Sequence, residues 1–140
     1  MRIQTLNHSA YQHQYHIVWG TKYRRKWLKP CLKPALVKSF NQIIEEYPTL
    51  FINSFNIDED HIHIQIEIPP NIRVSSAVQK IKQRTSIDIR KKHKFIREMY
   101  LENSIWSVGY FSSTIGPNEE QIRKYIEQQG RRELPQPIEL

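Results

Sequence analysis

Residues 61–68 read His-Ile-His-Ile-Gln-Ile-Glu-Ile, an alternation without a break. A period of two places Ile62, Ile64, Ile66 and Ile68 on one face of a strand, with His61, His63, Gln65 and Glu67 on the other. The stretch before it, Leu50–Asp58, predicts an antiparallel partner joined through the acidic turn Asp58-Glu59-Asp60. Pro69 and Pro70 end the second strand. The aromatic and β-branched run Tyr11–Tyr23 predicts a strand ahead of this hairpin, and Trp106–Gly116 predicts one after it.

Helical spacing occupies the intervals. In Lys33–Tyr47, Leu36, Val37, Phe40, Ile43, Ile44 and Tyr47 fall on one side, with Pro34 in the first turn and Pro48 as the stop. In Val74–Lys92 the inner stripe is Val74, Ala77, Val78, Ile81, Thr85 and Ile89. Residues 95–103 form a further short helix or a loop. Pro117–Gly130 predicts a last helix, with Glu119 and Glu120 at its positive end and Gly130 at its stop. The order β-α-β-β-α-β-α assigns an α+β fold, ferredoxin-like βαββαβ with an additional C-terminal helix. Residues 1–130 then make a single domain and 131–140 a flexible tail.

Composition narrows the function classes. The 140 residues carry a net charge of +7, and a single cysteine excludes an internal disulfide and fits a reducing, cytoplasmic setting. No apolar run is long enough to span a bilayer, and the first twenty residues lack the apolar region of a secretory signal. Two thirds of the 21 Lys and Arg lie in two segments, Lys22–Lys33 and Lys80–Arg97. The first has no acid and includes Tyr23 and Trp27, a mixture that grips phosphates and stacks bases. Such a charge distribution points to a nucleic-acid partner. Trp27 reads equally well as core.

The polar face of the alternating strand supplies the chemistry. His61 and His63 project from one face roughly 7 Å apart at Cα, close enough to converge on one divalent metal. On the last helix Tyr125 and Gln129 are four residues apart and share a face, while Ile122 and Ile126 lie on another side. A tyrosine is a poor nucleophile unless a metal polarises the group that it attacks. His16 reads as a packed histidine of the first strand, Glu67 as a solvated carboxylate and Asp60 as a turn former.

The segment DEDHIHIQIEIPP resembles the His-hydrophobic-His motif of the HUH nucleases. With YHIVWGTKYRRK, IWSVGYFSSTIG and KYIEQQ, in this order and spacing from about Tyr11 to Gln129, the chain resembles the single-tyrosine transposases of small insertion sequences. The resemblance implies Mg²⁺ or Mn²⁺ held by His61, His63 and Gln129, with Gln128 a possible substitute for the last. It implies Tyr125 as the nucleophile on single-stranded DNA, a 5′-phosphotyrosine linkage, and element ends folded into hairpins as substrates. It also implies a homodimer in which the tyrosine helix of one subunit can complete the other's site. Lys22, Tyr23, Arg24, Arg25 and Lys26 would then track phosphates and stack an unpaired base. Lys80, Lys82 and Arg84 would grip a hairpin stem. A host-domesticated relative acting on repeated palindromes would use the same residues. A non-catalytic module with an RNA-recognition-like sheet is the alternative from another class, although it expects aromatics where this strand has histidines.

Overall fold

The computed structural model describes residues 4–6, 9–11, 13–102 and 104–114. The predicted last helix, the tail, Tyr125, Gln128 and Gln129 lie outside the described residues. Two short strands, β1 (Gln4–Leu6) and β2 (Ser9–Tyr11), pair with each other in a sheet of their own. The main sheet begins with β3 (Gln14–Gly20). Helix α1 (Lys33–Glu46), strands β4 (Phe51–Asp58) and β5 (His61–Glu67), helices α2 (Val74–Lys92) and α3 (Lys94–Met99), and strand β6 (Phe111–Thr114) follow. The spatial order is β4-β5-β3-β6, antiparallel throughout. This is the ferredoxin-like arrangement, with the hairpin strand β5 inserted beside β3.

The alternation in β5 decides how the sheet is covered. Ile62, Ile64, Ile66 and Ile68 are buried, together with Ile17 and Trp19 of β3 and the inward stripes of α1 and α2. The predicted stripe of α2 is buried from Ala77 to Ile89, with Val74 only partly covered. In α1, Leu36, Phe40 and Ile43 point inward, but Val37 is 42% exposed because Ala35 and Ser39 occupy the inner face. Ser39 donates from Oγ to Asp88 Oδ2 at 2.6 Å, and Arg84 donates to Glu46 at 2.8 Å, so polar links also join the two helices.

Two predicted strands are shorter than expected. The first is confined to Gln14–Gly20, after which Lys22–Arg24 makes a 3₁₀ turn with Tyr23 at φ 61° and Arg24 at φ 53°. Two positive φ values in succession take the chain out of the sheet. The last is interrupted before β6: Trp106 forms an isolated bridge with Thr21, and Gly109 turns the chain at φ 87°.

Lys82 pins that interrupted segment, with Nζ donating to Ser107 O at 2.7 Å and to Gly109 O at 2.9 Å. Burial pushes its ammonium down to about 8 from the ordinary 10.5. A neutral amine still has two N–H groups, enough for both carbonyls. Between pH 8 and 10.5 the unfolded chain therefore binds more protons at this site than the folded one, and its contribution to stability rises with pH. In urea denaturation, the stability gap between wild type and Lys82→Met is expected to widen in favour of wild type across this interval. A gap that stays flat with pH would contradict the depressed value.

Candidate functional site

The second face of the sheet is more enclosed than the alternation suggested. Gln14, His16, Val18, His61 and Glu67 are all buried there, so Glu67 is not a solvated carboxylate. Register explains the clustering. In β3–β5 pairing Gly20 faces His61, Val18 faces His63 and His16 faces Gln65. In β4–β5 pairing Asp58 faces His61 and Asn56 faces His63.

His61 lies between two carboxylates. Its Nδ1 is 2.9 Å from Asp60 Oδ1 and its Nε2 is 2.9 Å from Asp58 Oδ2. Asp60 is more than a turn former, because its other oxygen accepts from Arg24 Nη2 at 3.2 Å. Burial would raise the Asp60 carboxyl, but the His61 hydrogen bond and the Arg24 charge outweigh it and hold the group below the usual carboxylate range. Arg24 reaches Asp60 by folding back over Gly20, where a Cβ would stand 3.1 Å from Arg24 Cδ and 3.3 Å from the Asp60 carbonyl oxygen. A Cβ here would require the Arg24 side chain or the Asp60 carbonyl to give by a few tenths of an ångström.

His63 is partly buried, and its Nε2 is 2.7 Å from Nδ1 of His16. Burial first, then the neighbouring His16 and His61, push its imidazole down to about 4. The ring is therefore neutral at neutral pH, the form that a metal ligand must take. His16 is thus part of the histidine face, and not a histidine packed away from it. The signal was available in the topology: a first strand beside the His-x-His strand, with His16 in phase with its histidine face.

The donor set suits a divalent cation. His61 and His63 occupy adjacent same-face positions, with Asp58 and Asp60 beside His61, and nitrogen with carboxylate oxygen is a combination that Mn²⁺ accepts. Among the described residues no group of three or more His, Cys, Asp or Glu is placed to hold a metal ion by itself. Any further ligand has to come from elsewhere, as the expectation for Gln129 required.

The basic residues separate into distinct roles. Tyr23 is 53% exposed, with Lys22 Nζ 5.6 Å and the Arg25 guanidinium 5.4 Å from its ring centroid. Lys26 is exposed and makes no ion pair among the described residues. Lys22 is paired with Glu102, and Arg25 also donates to the Met99 carbonyl. Arg24 is not a free phosphate contact, since its side chain is 8% exposed and held on Asp60. Lys82 is likewise turned inward on backbone carbonyls, while Lys80 lies over the Tyr47 ring and Arg84 pairs with Glu46. The three do not form one gripping row. Trp27 is core: it is 2% exposed and its Nε1 donates to Tyr100 Oη at 2.8 Å. Among the described residues no helix is long and apolar enough to cross a membrane.

Comparisons with known proteins place this arrangement. The family described as "Transposase IS200 like" matches residues 9–129. The transposase for insertion sequence element IS200 of Salmonella typhimurium is 31% identical over 126 residues, covering 90% of this chain and 82% of that one. The ISDra2 transposase TnpA of Deinococcus radiodurans is 26% identical, with 89% of each chain covered. Among solved structures, a candidate transposase from Deinococcus radiodurans superposes with a TM-score of 0.77 at 20% identity, covering 90% of this chain and 97% of that one. A REP-associated tyrosine transposase bound to a REP hairpin gives 0.54 at 16% identity, covering 82% and 62%. These two support the fold, and the sequence match extends over most of the chain; the chain belongs to the IS200-like transposase family.

Proposed function

We propose that this transposase cuts and rejoins single-stranded DNA at hairpin-bearing ends, with Tyr125 as nucleophile and His61, His63 and Gln129 as ligands of Mg²⁺ or Mn²⁺. The observation that carries the reading is the pair of histidines on one face of the central strand, one of them braced by two carboxylates. When bound, the cation supplies Lewis-acid polarisation of the scissile phosphate. Tyr125 Oη attacks phosphorus, the bond from phosphorus to the 3′ oxygen breaks, and that oxygen leaves as a 3′-hydroxyl after gaining a proton. The 5′ side stays on the protein as a phosphotyrosine. A 3′-hydroxyl from the same or another end then displaces the tyrosine, so the bond energy is conserved and no ATP is needed. Asp60 orients His61, and Arg24 in turn fixes Asp60. Tyr23, Arg25 and Lys26 remain the best-placed DNA contacts of the first basic segment. The relative bound to a REP hairpin supports hairpin ends as substrate. Two copies acting together, each tyrosine helix completing a site, belong to the same reading.

The RNA-recognition alternative is disfavoured, because the second face of the two central strands presents Gln14, His16, Val18, His61, His63, Gln65 and Glu67 and no aromatic. The test incubates the protein with a hairpin-bearing single strand, with Mn²⁺ or with chelator. A covalent protein–DNA adduct is expected only with metal, and His61→Ala is expected to reduce it on the order of 100-fold or more. An adduct of equal yield with chelator, or from His61→Ala, would overturn the metal reading.

A further inference from the structure

His16 touches His63 and has no assigned part in the reaction. The two are diagonal neighbours on adjacent antiparallel strands, since His16 faces Gln65 while His63 faces Val18. Diagonal neighbours on one sheet face lie within reach of ring side chains. Their ring centroids are 4.9 Å apart at an interplanar angle of 32°, and the closing nitrogens are 2.7 Å apart. His16 is 7% exposed, which leaves little room for water to take over the contact.

We propose that His16 is a positioning residue that holds His63 in one orientation and one tautomer, so that His63 offers Nδ1 to the cation; the proposal rests on the reading of His63 as a ligand. The argument is a count of protons. A neutral imidazole carries one N–H and one lone pair. If His16 Nδ1 donated to His63 Nε2, the lone pair of His63 would be engaged and its proton would lie on Nδ1, leaving nothing for a metal. If His63 donates from Nε2, the lone pair of His16 Nδ1 accepts and His63 Nδ1 is free to ligate. Only the second arrangement is compatible with a ligand. At His61 the partners are carboxylates, with Asp60 at Nδ1 and Asp58 at Nε2, each at 2.9 Å. Metal-binding histidines commonly have such a partner at the second nitrogen.

Two readouts on the intact protein test this. Long-range proton–nitrogen NMR on the metal-free protein should show His63 in the Nε2–H tautomer, with a mixture appearing in His16→Ala. Mn²⁺ affinity, followed by electron paramagnetic resonance, should fall about 10- to 100-fold in His16→Ala. It should largely return in His16→Asn, whose side-chain carbonyl can accept the same hydrogen bond. A loss of packing alone would not be rescued in this way, and backbone amide spectra show whether each variant is folded. His63 protonated at Nδ1, or an affinity and tautomer unchanged in folded His16→Ala, would overturn the proposal. Wild-type protein that keeps the Nε2–H tautomer but binds no Mn²⁺ would remove the metal reading and the choice of Nδ1 as ligand with it, leaving His16 only as the holder of His63. The two failures are therefore distinguishable.

Discussion

Tyr125→Phe, incubated with a hairpin-bearing single strand and Mn²⁺, is expected to give no covalent adduct and no strand transfer while still binding the DNA. The substitution removes one oxygen and preserves the ring, so helix propensity and packing volume change little. Everything expected of the DNA surface is left in place. What is lost is the atom that forms the new bond to phosphorus, and loss of a nucleophile that works with a fixed partner commonly costs on the order of 10⁴-fold or more. That corresponds to about 5.5 kcal/mol of transition-state stabilisation. Residual hydrolysis by water would release a nicked strand without attached protein, so a denaturing gel separates the two outcomes. If Tyr125→Phe retains the adduct, another residue is the nucleophile and the tyrosine reading is wrong. If it loses DNA binding as well, Tyr125 acts in recognition and not in bond formation.

The parts of the fold that were legible in the sequence are those where one period dominates. Four isoleucines at every second position share one strand face, and all four are buried. The α2 boundaries, Val74 and Lys92, follow from a sustained apolar stripe after two prolines. The turn at Lys22–Arg24 was not legible, because positive φ there falls on Tyr23 and Arg24 instead of on a glycine. That turn is imposed from outside: Thr21 N donates to the Asp60 carbonyl and Lys22 N to the Ile105 carbonyl. Such contacts join residues far apart in sequence, and no local pattern announces them. The same holds at the site. His61 and His63 announce themselves by spacing, whereas Asp58, Arg24 and His16 join them only through strand register and a returning turn. The basic run of α2 misled for the opposite reason. Charge in sequence says nothing of where a flexible side chain finds its partner, and Lys82 found two carbonyls inside.

Trp106→Ala is expected to be the most destabilising of the single core truncations around the site. Trp106 is 2% exposed and packs edge-on to Trp19 at 5.7 Å and tilted against Trp27 at 5.5 Å. Its Nε1 donates to Thr85 Oγ1 at 3.0 Å, tying the segment before β6 to α2. Removing a buried indole loses its transfer free energy and leaves a cavity, together about 3–5 kcal/mol. Against a total of roughly 5–15 kcal/mol for a domain, this is a large share, and the urea midpoint should fall by about 2 M. Trp106→Phe keeps most of the ring volume and loses the hydrogen bond, so a smaller drop of about 1–2 kcal/mol is expected. The Trp106 backbone bridges Thr21, and Ser107 N donates to the Gly20 carbonyl. Gly20 and Thr21 are the residues that Asp60 and Arg24 fold against. The tryptophan cluster therefore supports the turn that orients His61, and a midpoint shift in Trp106→Ala below about 0.5 M would mean that this end of the sheet is held by its hydrogen bonds alone.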